Sequence, residues 1–156
     1  MPNHLLSATS LLNKLPFKGI ILTGGKEERD RDRVENYALD FSIRHHLPLI
    51  GICHGMQVMQ RYCGWSLQQV KGHVMHQQEL VCATHTRIVN SYHDWGTADP
   101  HQEFKILGRS NDAVIKAIMH NRFPFMGLMW HPERLSPFHK EDIQLFKSFI
   151  SVIHRL

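Results

Sequence analysis

The sequence predicts an α/β fold in three layers, an open, mostly parallel sheet with flanking helices. Two observations carry that expectation. Short apolar runs at 19–22 and 49–52 bracket a stretch of helical periodicity. Strand, helix, strand within about 30 residues is a βαβ unit, with parallel strands and a right-handed crossover. The second run then enters Gly51-Ile52-Cys53-His54-Gly55 and an apolar, helix-like stretch. Strand, glycine-flanked turn and helix form a nucleophile elbow, here with cysteine in the place of serine.

The other elements follow in order. Leu5, Leu6, Leu11, Leu12 and Leu15 are loosely helical and stop before Pro16. Gly19 to Leu22 reads as a buried strand that feeds a glycine-rich loop, Thr23-Gly24-Gly25. Val34, Tyr37, Ala38, Phe41 and His45 share one helix face, which ends at His46-Leu47-Pro48. After Cys53, Met56, Met59, Tyr62 and Cys63 continue a helix that Gly64 terminates. Between 65 and 120 the texture is β-rich, with short strands expected at 80–84, 87–91, 104–107 and 113–119. An apolar strand follows at 125–130. Ser136 then fits an N-cap, Pro137 the first helical position, and Glu141 and Asp142 the first turn. Ile143, Phe146, Phe149, Ile150 and Ile153 give that last helix its apolar stripe. No repeat or linker divides the chain, so a single domain over 1–156 is expected.

Composition excludes several function classes. Hydrophobic content of 42% with 21% charged residues is that of a soluble globular domain. No apolar run approaches the roughly 18 residues of a membrane helix, and the N-terminus lacks a secretory pattern. The formal charge is +4, but the one dense cluster, Lys26 to Arg33, mixes both signs and is not a nucleic-acid arm. Cysteines at 53, 63 and 82 have no metal spacing, and three thiols suit a reducing, cytoplasmic setting. Cys63 and Cys82 read as small buried hydrophobes. The 13 histidines are scattered without a zinc-like pattern, so no metal is assigned.

A cysteine nucleophile needs a base, and the base needs an orienting group. Trp130-His131-Pro132-Glu133 supplies both at the end of a strand. Two residues apart in extended geometry, His131 and Glu133 project to one side. Cys53, His131 and Glu133 are therefore the candidate catalytic triad. An oxyanion hole would take the backbone N–H of His54 and one from Gly24 or Gly25, at the end of the preceding parallel strand. Gly25 is the preferred donor.

Ile-Leu-Thr-Gly-Gly (21–25), Gly-Ile-Cys-His-Gly-Met-Gln (51–57), Asn-Ser-Tyr-His (90–93) and Trp-His-Pro-Glu (130–133) together resemble the class I glutamine amidotransferase superfamily. Arg31-Asp32-x-x-Glu35 and the Asn-Ser-Tyr-His motif resemble its branch of stand-alone γ-glutamyl hydrolases. The resemblance implies a flavodoxin-like fold, hydrolysis of a small-molecule γ-glutamyl substrate and no cofactor. It implies that Gln57 holds the α-amino-acid head of the glutamyl group. Gly24 and the residues around Tyr92, His93 and Asp94 would line the same pocket. Family members carry a further strand before the Gly-Gly strand. Only 19 residues precede Ile20 here, so a sheet lacking that first strand is expected. Two alternatives stay open: a glutaminase subunit that supplies ammonia to a synthetase partner, and a shortened, non-catalytic member.

Overall fold

The computed structural model describes residues 4–153, without the side chains of Met75, Val152 and Ile153. In chain order the first elements are α1 (Leu5–Lys14), β1 (Ile20–Leu22), α2 (Arg29–His45), β2 (Leu49–Ile52) and α3 (His54–Tyr62). A run of strands follows: β3 (Gln68–Gln69), β4 (Val74–Cys82), β5 (Thr86–Tyr92), β6 (Trp95–Gly96), β7 (Phe104–Arg109), β8 (Ile115–His120) and β9 (Phe125–Leu128). A 3-10 turn at Pro132–Arg134 and α4 (Lys140–Ile153) complete the described chain.

Seven strands form one sheet in the order β1-β2-β9-β8-β7-β4-β5, and β3 pairs with β6 apart from it. The class is α/β, as expected, but the sheet is mixed and not mostly parallel, with two of its six pairings parallel. β1, β2 and β9 are mutually parallel, and every pairing beyond β9 is antiparallel. Connection length explains the division. A helix joins β1 to β2, whereas short turns join β4 to β5, β7 to β8 and β8 to β9, and short turns allow only antiparallel neighbours. β1 is an edge strand, with Ile21 exposed. The sheet curls enough for Asn90 of β5 to reach the backbone of His131, beyond β9.

Side-chain alternation along the strands builds the layers. Leu49 and Phe125 face α1, α2 and α3, with Leu39, Phe41, Met56 and Met59 in one core cluster. Ile50, Ile52, Met126 and Leu128 face the opposite side, with Phe149 of α4. Buried Asp142 ties α4 to the sheet, accepting hydrogen bonds from Trp130 Nε1 at 3.1 Å and from Arg87 at 2.5 Å.

Boundaries differ most from the sequence expectation in four places. β4 starts at Val74, not 80, because its first half is polar (His76, Gln77, Gln78) and carries no apolar alternation. β9 ends at Leu128, since the chain turns at 129–131 into the 3-10 segment. α2 begins at Arg29, through a charged first turn that has no apolar periodicity. α4 begins at Lys140 and its first described helical bond runs from Ile143 N–H to His139 O, so Ser136 is not its N-cap. Cys63 and Cys82 are half-buried at the margins of the two clusters. The Ile153 side chain, expected on the stripe of α4, lies outside the described residues. Among the described residues no helix is long and apolar enough to cross a membrane.

Candidate active site

Three neighbouring parallel strands deliver the candidate residues to one edge of the sheet. Ile52 of β2 pairs with Leu128 of β9, and the next N–H, that of Cys53, donates to Leu128 O at 2.7 Å. On the other side of β2, Leu22 pairs with Gly51, which sets Thr23-Gly24-Gly25 beside the elbow. The carboxyl edge of parallel strands is where open α/β sheets bind ligands.

Cys53 caps α3 with φ 49° and ψ −103°, a conformation that side-chain-bearing residues rarely hold. The glycines around it are required by space. A Cβ on Gly51 would lie 2.6 Å from the carbonyl carbon of Gly55, and one on Gly55 would lie 2.7 Å from Leu22 Cβ. Burial raises the Cys53 thiol to about 11. The His54 N–H and the charges of Arg134 and Lys116 pull the other way, and Glu133 adds to the rise. The resting group is therefore S–H, and it needs a base to react.

His131 is buried, and its Nδ1 lies 2.6 Å from Glu133 Oε1. With the ring proton donated to that carboxylate, Nε2 is left bare as an acceptor. The pair meets by a different route from the one expected. His131 caps the 3-10 turn, which carries Pro132 at its first position, and the turn swings Glu133 back to the ring. The ring packs against Gly24, where a Cβ would overlap Cε1, and it takes an edge contact from Tyr92 at 5.6 Å between centroids. Among the described residues no hydrogen bond joins Cys53 Sγ to the imidazole. Asn90 clamps the backbone of His131 on both sides, accepting from its N–H and donating to its O, each at 2.8 Å.

The remaining expected residues surround this centre. Gly25 has φ 147°, and a Cβ there would collide with Arg31. Arg31 donates to Thr23 O at 2.6 Å, to Gly24 O at 3.2 Å and to Glu35 at 2.9 Å. The His54 ring sits 3.0 Å from Asp32 Oδ1 and 3.3 Å from Glu35 Oε2. One polar network therefore holds both segments expected to form the oxyanion hole. Gln57 donates to Trp95 O at 3.0 Å, which fixes its amide. Tyr92 is partly exposed beside His131, with the Arg134 guanidinium 4.1 Å above its ring. His93 is buried with both ring nitrogens engaged, Nδ1 with Trp95 O and Nε2 with Lys116. It backs the wall of the site and has no ring nitrogen free.

An apolar groove of ≈ 630 Å³, lined by Ile21, Ile143, Phe146 and Ile150 among others, opens beside His131 and Glu133 without reaching Cys53. Among the described residues, two groups bring potential metal-ligand atoms within 4.8 Å of one another. In Asp32–Glu35–His54, the imidazole and Arg31 already engage the carboxylates. In Cys63–Glu103–His120, the N–H groups of Arg122 and Phe123 point at His120 Nδ1, at 3.0 and 3.3 Å. The ring proton then sits on Nε2, and a metal could take neither nitrogen without breaking that arrangement.

A family model for glutamine amidotransferase class-I matches residues 2–152. The chain belongs to that family. It is 26% identical over 146 residues to γ-glutamyl-CDP-amidate hydrolase of Campylobacter jejuni, covering 88% of this chain and 72% of that protein. It is 28% identical over 176 residues to a glutamine-hydrolyzing GMP synthase subunit of Methanothrix thermoacetophila, covering 98% and 93%. Of the longer GMP synthase of Francisella tularensis, 27% identical, it spans 26% of the length. Its fold matches the crystal structure of a Thermoplasma acidophilum protein described as a GMP synthase subunit. The TM-score is 0.81 at 21% identity, over 99% of this chain and 80% of that one. The flavodoxin-like architecture expected from the motifs is thus the fold of this amidotransferase domain.

Three residues of the site were not singled out by sequence reasoning. Asn90 and Arg31 lie inside the family motifs, but Asn90 acts across 41 positions on His131, and Arg31 acts by folding back onto the loop carbonyls of Thr23 and Gly24. Lys116 had one visible signal, a lone cation within the apolar run Val-Ile-Lys-Ala-Ile.

Proposed function

We propose that this amidotransferase domain is a cysteine-dependent hydrolase of γ-glutamyl amides. One observation carries the reading. A cysteine on a strained elbow and a His131–Glu133 pair leave adjacent parallel strands at the same edge of the sheet. In the reaction, His131 Nε2 takes the thiol proton as Cys53 Sγ attacks the γ-carbonyl carbon. The oxyanion rests on the N–H groups of His54 and Gly25. Collapse breaks the C–N bond, and His131 returns its proton to the leaving nitrogen. Water, deprotonated by the same imidazole, then cleaves the γ-glutamyl thioester to glutamate and regenerates the thiol. Glu133 holds the tautomer and stabilises the imidazolium, and Gln57 takes the α-amino-acid head.

The preferred substrate is a γ-glutamyl conjugate with an anionic leaving group, γ-glutamyl-CDP-amidate being the first choice. The similarity to the Campylobacter enzyme supports it, as does Arg134. That exposed cation stands over Tyr92 close enough to Cys53 to favour the thiolate, and among the described residues its side chain makes no hydrogen bond or ion pair. The second reading is a glutaminase subunit feeding a synthetase partner, and the likeness to the Methanothrix GMP synthase subunit favours it. A panel of glutamine, γ-glutamyl amines and a γ-glutamyl nucleotide amidate, read by mass spectrometry for released glutamate, separates the two. The nucleotide amidate is expected to turn over fastest, and Arg134→Ala to remove about tenfold of that preference, the size of one charge-assisted contact. Glutamine turnover that requires a co-purifying protein would favour the second reading. Failure of Cys53 to react with a glutamine-analogue electrophile, in folded protein, would leave only a non-catalytic role.

Gly24→Ala tests the geometry directly. The new Cβ displaces the imidazole, and a shift near 1 Å in a catalytic group costs about a hundredfold in kcat/KM. The residue lies in a loop, so the melting temperature should hardly move. An unchanged kcat/KM would mean that the ring does not work from this position.

A further inference from the structure

Lys116 is 1% exposed, on β8 inside the curl of the sheet. A buried lysine is costly unless every proton has an acceptor. Here the three ammonium protons meet three acceptors: His73 Nδ1 at 2.8 Å, Ser91 Oγ at 3.1 Å and His93 Nε2 at 2.6 Å. Each acceptance fixes a tautomer. His73 keeps its proton on Nε2 and donates it to Asp112 Oδ2 at 2.7 Å. His93 keeps its proton on Nδ1 and donates it to Trp95 O at 2.9 Å. The same carbonyl accepts from Gln57 Nε2. A chain of hydrogen bonds thus runs from a half-exposed carboxylate in the β7–β8 turn, through the interior, to Gln57.

We propose that Lys116 is a positioning residue for the bound γ-glutamyl group: its fully protonated ammonium sets His93 and the Trp95 carbonyl, and these orient Gln57. The proposal rests on the reading that Gln57 faces the glutamyl head. Its consequence is an affinity that depends on pH. A neutral amine has two protons and cannot serve three acceptors, so one arm of the network fails when Lys116 deprotonates. The charged and titratable groups facing the ammonium are His73 ahead of β4, His93 after β5, Asp112 in the β7–β8 turn and Cys53 at the elbow. His76 acts on His73, and His131 acts on His93. Burial lowers Lys116 to about 7, against support from the Asp112 carboxylate, while Cys53 is a neutral thiol in that range. Burial likewise holds His93 down, to about 3, and His73 below its ordinary value, so both stay neutral where the lysine titrates.

The test compares the native chain with Lys116→Met and Asp112→Asn, using whichever γ-glutamyl conjugate the native chain hydrolyses. In the native chain KM should rise as pH climbs through about 7, where the third donor is lost. Lys116→Met should raise KM about tenfold at pH 6, with kcat within about threefold, and remove the pH step. Asp112→Asn alters an exposed turn, where asparagine Oδ1 still accepts from His73. It removes the charge that supports the ammonium, together with the acceptor that Ser110 Oγ uses at 2.6 Å, and the lost charge should move the step to lower pH. A purely structural role would lower the melting temperature and leave the step in place. Ring 15N signals of His73 and His93, followed from pH 5 to 9, give a readout that needs no substrate. Both should shift together at the lysine's titration and not in Lys116→Met. A KM step unmoved in folded Asp112→Asn, or histidine signals indifferent to Lys116, would overturn the proposal. Absence of γ-glutamyl turnover in the native chain, with the 15N coupling intact, would instead overturn the proposed function.

Discussion

Cys53→Ala is expected to lower glutamate release by at least about four orders of magnitude, since the proposed nucleophile, base and acid would act as one unit. Stability should change little. The sulfur is a small part of a cluster that also holds Ile50, Ile52, Met126 and Leu128, and a loss near 1 kcal/mol corresponds to about 2–4 °C at this chain length. Full activity in the variant would remove Cys53 from the mechanism. The same variant should alter alkaline unfolding in a defined direction. Burial holds the folded thiol at about 11, whereas an ordinary thiol titrates near 9.0. Between those values the unfolded chain gives up its proton first, so the folded state holds more protons and stability falls as pH rises. The contribution of Cys53 is complete below pH 9 and gone by about 11. Cys63, raised to about 12 chiefly by burial, acts in the same sense and remains in the variant. The fall in melting temperature from pH 8.5 to 10.5 should therefore be shallower in Cys53→Ala, though not absent.

What could be read in advance divides according to the range of the interactions. The elbow was legible because its requirements are local: a β run, two glycines two residues either side of one cysteine, then helix periodicity. The three-strand parallel core was legible for the same reason, since each strand is apolar on both faces. The antiparallel wing was read only as short β pieces. The first half of β4 is polar, and its pairing with β5 and β7 is decided by partners distant in the chain. Within the site, His131 and Glu133 were named from two residues of spacing. Asn90 clamps His131 from 41 positions away, and Lys116 gathers groups 23 to 43 positions distant. No periodicity encodes such contacts, which exist only once the sheet has curled. His93 shows the cost most clearly. Its motif marked it as part of the pocket, and the fold turned both ring nitrogens inward to Lys116 and Trp95.

Gly55→Ala should damage fold and activity together, and the reason separates it from an ordinary helix substitution. Alanine in a helix is favoured over glycine by about 1 kcal/mol, so propensity alone predicts a gain. Space predicts the reverse. The added Cβ would lie 2.7 Å from Leu22 Cβ and 2.8 Å from Leu22 C, and would overlap Leu22 O. Those atoms belong to β1, whose backbone is held in the ladder to β2 and cannot rotate aside as a flexible side chain could. Overpacking costs about 1–3 kcal/mol, and contact with backbone places this site at the upper end, so the clash outweighs the propensity. The expected result is a melting temperature several degrees lower. Leu22 leads straight into Gly24 and Gly25, so relief of the clash also moves the loop against His131, and kcat/KM should fall about a hundredfold. Gly64→Ala is the contrasting case. Gly64 has φ 77° with no atom within 4 Å of a built Cβ, so the strain there is conformational, about 1 kcal/mol, and activity should survive. Equal effects of the two substitutions on kcat/KM would show that the elbow does not depend on the close packing of α3 against β1.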